Sequence, residues 1–160
     1  MIVRSAVCAD AKAICDIWNP LIENTATTFT SDLKTEQSIL SDIKARAGAF
    51  FVCEEADRLL GFATYFPFRG GPGYAHTKEH SINLSPDARG RGAGQALMAA
   101  LEAHAKQAQV HSIWAGISGE NPSGVAFHKK VGFTEIARLP EVGYKFDRWM
   151  DLVLMQKILR

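Results

Sequence analysis

The stretch His80-Ser81-Ile82-Asn83-Leu84-Ser85-Pro86-Asp87-Ala88-Arg89-Gly90-Arg91-Gly92-Ala93-Gly94-Gln95 decides the architecture. His80 to Leu84 reads as a strand, and Ser85-Pro86 ends it because proline offers no donor to a sheet ladder. A helix follows from Gly92 to about Gln107, with Leu97, Met98, Leu101 and His104 along one side. Between the two, glycines at 90, 92 and 94 let backbone N–H groups approach an anion without Cβ hindrance. The helix directs its positive end and unpaired N–H groups to the same place. Arg89 and Arg91 add charge at the mouth. Strand, glycine loop and helix in this order predict a pyrophosphate cradle. Neither familiar phosphate loop fits it, because the chain has no GxxxxGK[ST] and the loop lacks the opening βαβ unit of a dinucleotide fold.

At the N-terminus, Ile2–Arg4 starts an edge strand, and Asp10 is placed to cap a helix carrying Ile14, Ile17 and Leu21, which Pro20 limits or kinks. A second helix is expected over Thr35–Ala47, then an extended run Phe50–Cys53. A turn at Glu54–Arg58 leads into the strand Leu59–Phe66. Arg69-Gly-Gly-Pro-Gly-Tyr74 is a loop by its glycines and proline. Beyond the cradle helix come a buried strand Ser112–Ile117, a short helix Pro122–Val131, and strands at Thr134–Leu139 and Trp149–Ile158. The order predicts an α/β (α+β mixed) fold, a mixed sheet with helices on both faces, formed by a single domain over residues 1–160.

The composition is 47% hydrophobic and 22% charged, which suits a globular domain and excludes a disordered one. Eighteen basic against 17 acidic residues leave a net charge of +1, so no global field gathers nucleic acid or an anionic membrane, and any bound anion is held locally. Cys8, Cys15 and Cys53 are odd in number and lack CxxC spacing. They are expected as small core residues in a reducing cytoplasm, with no disulfide framework and no metal site. Neither a signal-peptide h-region nor a membrane-length apolar run appears, so a soluble, non-exported protein is expected.

Arg89-x-x-Gly92-x-Gly94 resembles the Q/R-x-x-G-x-G/A acetyl-CoA signature of the GNAT acetyltransferase superfamily. The likeness extends through His76-Thr-Lys-Glu-His80, Ala115-Gly-Ile117 with Asn121, and Val142-Gly-Tyr-Lys-Phe-Asp-Arg-Trp-Met-Asp151 to the phosphinothricin and methionine sulfoximine acetyltransferase subfamily. The resemblance implies a mostly antiparallel, splayed sheet in which Ile82, Asn83 and Leu84 line the gap that receives pantetheine as a β-strand would be received. It also implies that Gly90, Arg91, Gly92, Ala93, Gly94 and Gln95 hold the pyrophosphate, joined by Arg89, and that Asn121 bonds the pantetheine arm. Acetyl-CoA is the implied co-substrate and a small amine the implied partner; the aromatic and basic residues of Val142–Asp151 beside a strand suggest a homodimer.

An aliphatic amine has a pKa near 10 and must lose a proton before it attacks a thioester. Glu79 matches the general base of the subfamily, although its local sequence alone reads as a solvated polar run. His80, pointing to the opposite face in an extended segment, is a weaker candidate for proton relay. His128 stands seven residues after Asn121, where many relatives carry a tyrosine acid, and serves there as proton donor or polariser or, alternatively, as a structural histidine. The acceptor site is expected from Arg69, Pro72, Gly73 and Tyr74, the Glu23–Phe29 region and Glu79, with Tyr144–Trp149 contributed across a dimer. Aromatic walls are sought among Phe66, Phe68, Tyr74, Phe146 and Trp149. Arg69 would pair with a substrate carboxylate or lie solvated, and Ala75 stands where relatives often carry an arginine, which leaves the exact acceptor open. A peptide N-acetyltransferase and a non-catalytic acyl-CoA sensor are the competing classes.

Overall fold

The computed structural model describes residues 1–160. Seven strands form one sheet: β1 (Ile2–Ser5), β2 (Phe50–Glu55), β3 (Arg58–Pro67), β4 (Thr77–Leu84), β5 (Ser112–Ser118), β6 (Thr134–Lys145) and β7 (Arg148–Ile158). Their spatial order is β1-β2-β3-β4-β5-β7-β6. Every neighbouring pair is antiparallel except β4 and β5. Four helices, α1 (Ala11–Asn24), α2 (Glu36–Ala45), α3 (Ala93–Gln107) and α4 (Pro122–Lys130), complete the succession read from the sequence.

Side-chain alternation along the strands divides the core in two. Phe50, Val52 and Phe62 pack with Ile14, Cys15 and Ile39 of α1 and α2. Phe51, Cys53, Ala63 and Tyr65 face the other way, onto Leu97, Met98, Leu101 and Ala105 of α3. Cys15 and Cys53 are buried as expected, whereas Cys8 is exposed, because it opens a short 3-10 turn ahead of α1 instead of facing a helix–sheet interface.

Several local expectations are corrected by tertiary pairing. Pro20 sits inside α1, which continues to Asn24. Asp10 takes the N-cap position, but its carboxylate accepts from Val7 N–H and from the Arg4 guanidinium, at 2.8 and 2.8–2.9 Å, instead of from α1. α2 is capped reciprocally by Thr35 and Ser38, so the helix proper begins at Glu36. β6 passes Pro140 and reaches Lys145; the proline is absorbed by an irregularity between Leu139 and Gly143 on what is an edge strand. β4 starts at Thr77, three residues before the apolar alternation becomes readable, because both β3 and β5 pair with its polar first turn. That extension places Glu79 on a strand.

Candidate active site

β4 and β5 are paired at only three positions, Thr77 with Ser112, Lys78 with Ile113 and Glu79 with Trp114. Beyond them the strands diverge. A cavity of about 280 Å³ fills the splay, with Glu79, Ile82 and Asn83 on one side and Gly116, Ile117 and Ser118 on the other. A second cavity of about 370 Å³ continues from Leu84 toward Arg89 and Gly90. The two share Thr27, Ile82, Asn83, Asn121 and His128, so one passage runs from the glycine loop to the Glu79 carboxylate.

At the loop end Gly90 and Gly92 adopt φ of 74° and 85°, a left-handed conformation that glycine takes without Cβ strain. The N–H groups of Gly90, Gly92, Ala93, Gly94 and Gln95 have no acceptor within the chain, while Ala96 N–H closes the first turn of α3 onto Gly92. This nest of free donors at a helix N-terminus fits a pyrophosphate. Gly94 contributes differently from the sequence reading. It is buried, and a Cβ there would stand 3.0 Å from the Phe127 ring, so its small size lets α3 and α4 approach. Arg91 is paired with Glu55, whereas Arg89 lines the passage. Asn121 caps α4 through its Oδ1, 2.9 Å from Gly124 N, and its Nδ2 carries no bond within the chain.

At the other end the Glu79 carboxylate is half-buried, without an ion pair or hydrogen-bond partner, and burial raises its pKa above the usual glutamate value. Its Oε1 lies 3.2 Å from where a Cβ on Gly116 would stand; the glycine leaves that carboxylate room. His80, on the opposite face of β4, and His128 of α4 are both buried, with 3.0 Å between their Nε2 atoms. His128 Nδ1 lies 2.7 Å from Gly124 O, an acceptor only, so that nitrogen carries the proton. His128 Nε2 is therefore the acceptor of a bond donated by His80 Nε2–H, and His80 Nδ1 is a lone pair buried without a donor.

Burial, reinforced by His128, depresses His80 to about 3, and burial also lowers His128 against the opposing pull of the Gly124 carbonyl. Both are neutral in the fold and become charged near pH 6.5 once unfolded. The unfolded chain then binds more protons below that pH, so stability is fully present above 6.5 and lost as pH falls toward 3. Denaturant titrations at pH 7, 6 and 5 should show unfolding free energy falling by as much as ~1.4 kcal/mol per pH unit for each histidine. A flat profile over that range would contradict the buried neutral pair. Glu79 acts with the opposite sign, since its raised pKa makes the folded state the better proton binder from about 4.5 upward to that pKa.

Residues 12–133 match the model of the Acetyltransferase (GNAT) family. The chain is a member of the GNAT acetyltransferase family. A relative from Salmonella typhimurium, an L-methionine sulfoximine/L-methionine sulfone acetyltransferase, is 33% identical over 98% of this chain and 93% of its own length. A Salmonella typhimurium acetyltransferase structure with its cofactor acetyl-CoA superposes with a TM-score of 0.95 at 33% identity, covering 100% of this chain and 94% of that one. A Brucella melitensis structure described as a ribosomal-protein-alanine N-acetyltransferase gives 0.94 at 36% identity, covering 99% and 100%.

Within this GNAT fold the passage brings together Glu79, Ile82, Asn83, Leu84, Arg89, Gly90, Asn121 and His128. Arg69, Pro72, Gly73 and Tyr74 do not join them in a single chain. Their loop lies exposed past the end of the β3–β4 ladder, where Phe68 stacks on Trp114 of β5. The Glu79 end of the passage is walled by Trp18, Thr27, Thr28, Phe29 and Leu152. Three of these walls fall within the expected Glu23–Phe29 region; Trp18 and Leu152 were not among the expected acceptor residues. None of Phe66, Phe68, Tyr74, Phe146 and Trp149 lines the cavity.

Proposed function

We propose that this enzyme transfers the acetyl group of acetyl-CoA directly to the primary amine of a compact amino acid, of the methionine sulfoximine, methionine sulfone or phosphinothricin kind. The observation that carries the reading is a partnerless, half-buried carboxylate at one end of a passage whose other end is a nest of free N–H groups. Acetyl-CoA supplies the activated acetyl group as a thioester. Gly90, Gly92, Ala93, Gly94 and Gln95 hold its pyrophosphate, the unpaired edge of β4 at Ile82–Leu84 and Asn121 Nδ2 hold the pantetheine arm, and Arg89 adds charge at the mouth. Glu79 takes the proton from the substrate ammonium, and its raised pKa brings it closer to the amine it serves. His128 lines the passage between the two ends as the candidate proton donor to the leaving thiolate; its one proton is on Nδ1, held by Gly124 O, so donation requires that carbonyl bond to open.

Phe29 and Trp18, which line the Glu79 end, favour a compact amine over a protein tail, while the likeness to the Brucella structure favours the peptide reading. A retained, unpaired Glu79 is unnecessary for an acyl-CoA sensor. Thiol release from acetyl-CoA, followed with methionine sulfone, methionine sulfoximine, phosphinothricin and alanine-terminated peptides, tests all three. Turnover of the sulfone or sulfoximine well above that of the peptides is expected; peptide preference, or binding without turnover, would overturn the assignment.

We also assign a cytoplasmic location and a homodimer built on the β6–β7 hairpin, where Ile136, Val142, Tyr144, Phe146 and Trp149 are exposed together. Light scattering should give twice the mass of the chain, and Trp149→Glu should shift it toward the monomer. A fully active monomer would refute the dimer. Cys15 and Cys53, unpaired and buried, suit a reducing compartment, and no helix is long and apolar enough to cross a membrane.

A further inference from the structure

Lys145, the last residue of β6, is buried, and its ammonium meets three backbone carbonyls: Ile22 at 2.5 Å, Thr25 at 2.8 Å and Thr28 at 3.0 Å. An ammonium has three donors, and here each finds an acceptor lying 117 to 123 residues away in sequence. The Ile22 carbonyl is one of the four that α1 leaves unbonded at its C-terminus, so Lys145 also places positive charge at the negative end of that helix. Residues 25 to 35 after α1 form neither helix nor strand, so no ladder of their own holds them. Yet Thr27, Thr28 and Phe29 form one wall of the cavity that contains Glu79.

A second contact between the same partners points the same way. Phe29 lies over Gly143, two residues before Lys145, and a Cβ at Gly143 would come within 2.5 Å of two ring carbons. Gly143 therefore provides a notch for the ring, and Lys145 gathers the backbone on either side of it. Lys145 does not itself line the catalytic cavity.

We propose that Lys145 is a positioning residue for acceptor selection: by drawing the Ile22, Thr25 and Thr28 carbonyls together it presses Phe29 into the Gly143 notch and so sets the width of the acceptor end. The inference rests on the amino-acid acceptor reading given above, because it assigns that end of the passage to the amine. Its action falls chiefly on the acceptor side, since Thr28 and Phe29 line only the Glu79 cavity, Thr27 reaches both, and the glycine-loop donors lie at the other end. Loss of the ammonium leaves three carbonyls without their donor and frees the segment to move, and a displacement of about 1 Å at a reacting group can cost two orders of magnitude.

In Lys145→Met the KM for methionine sulfone should rise about tenfold or more, with kcat less affected, while acetyl-CoA Kd by calorimetry stays within about twofold. Amide hydrogen exchange over residues 25–30 should speed up. Gly143→Ala removes the notch without touching the ammonium and should shift acceptor KM in the same direction, which keeps the test open if the lysine variant folds poorly. Unchanged acceptor KM and exchange in both folded variants would overturn the positioning role, as would a parallel loss of acetyl-CoA affinity, which marks a general defect. If the wild-type enzyme acetylates none of the amino acids, the acceptor reading has failed instead; exchange over residues 25–30 still reports whether Lys145 holds the wall.

Discussion

Replacing Glu79 with glutamine is expected to lower kcat/KM at neutral pH by roughly 10²- to 10⁴-fold, the usual worth of a general base. Glutamine keeps the size of the side chain and removes the charge that accepts the proton. The carboxylate has no ion pair or hydrogen bond within the chain, so the change breaks no structural contact, and the fold and acetyl-CoA affinity should both survive. The pH dependence gives the sharper readout. Burial lifts the Glu79 pKa, so wild-type kcat/KM rises first as this carboxylate ionises and again as the free amine becomes available. The glutamine variant should lose the lower limb and close the gap at high pH, where solvent deprotonates the amine unaided. Retention of most activity across the pH range would reassign proton removal to water or to the His80–His128 pair. The acetyl-CoA assignment would stand, because it draws on the other end of the passage.

Gly92→Val is expected to weaken acetyl-CoA binding by roughly a hundredfold. The native φ of 85° is one that a β-branched residue adopts only at a cost of about 1–2 kcal/mol, so valine drives the backbone toward another conformation. That movement turns away the N–H groups of Gly92 and Ala93, and each hydrogen bond to a charged acceptor contributes about 1.5–3 kcal/mol. The side chain itself meets almost nothing: the nearest atom to a Cβ at Gly92 is a Met1 methyl 4.0 Å away. The defect should therefore appear in cofactor affinity more than in core packing. Calorimetry on the folded variant decides it, and unchanged acetyl-CoA affinity would remove the cradle assignment. The comparison with Gly94→Val is informative, because there the added carbons collide with Phe127, and lost stability is expected ahead of lost affinity.

The sequence of elements and the glycine loop were legible because each depends on short-range chemistry. Proline and glycine punctuate the backbone locally, amphipathic spacing marks α3, and Arg89 to Gly94 combine a strand end, a glycine turn and a helix start within a few residues. Glu79 was legible only through the subfamily likeness, since its neighbours Thr77 and Lys78 hide the strand that tertiary pairing extends to them. What depends on long-range approach was not. No spacing rule tells that Arg91 turns to Glu55, that Gly94 serves packing against Phe127, or that the Arg69–Tyr74 loop stays off the passage while Trp18 and Leu152 line it. Nor does any local pattern show His80 donating to His128, or an ammonium at position 145 holding carbonyls more than a hundred residues earlier. Backbone preference and periodicity act over a turn or two of chain and so are written in the sequence, whereas burial, desolvation and the choice of hydrogen-bond partner are settled only when distant segments exclude water from one another.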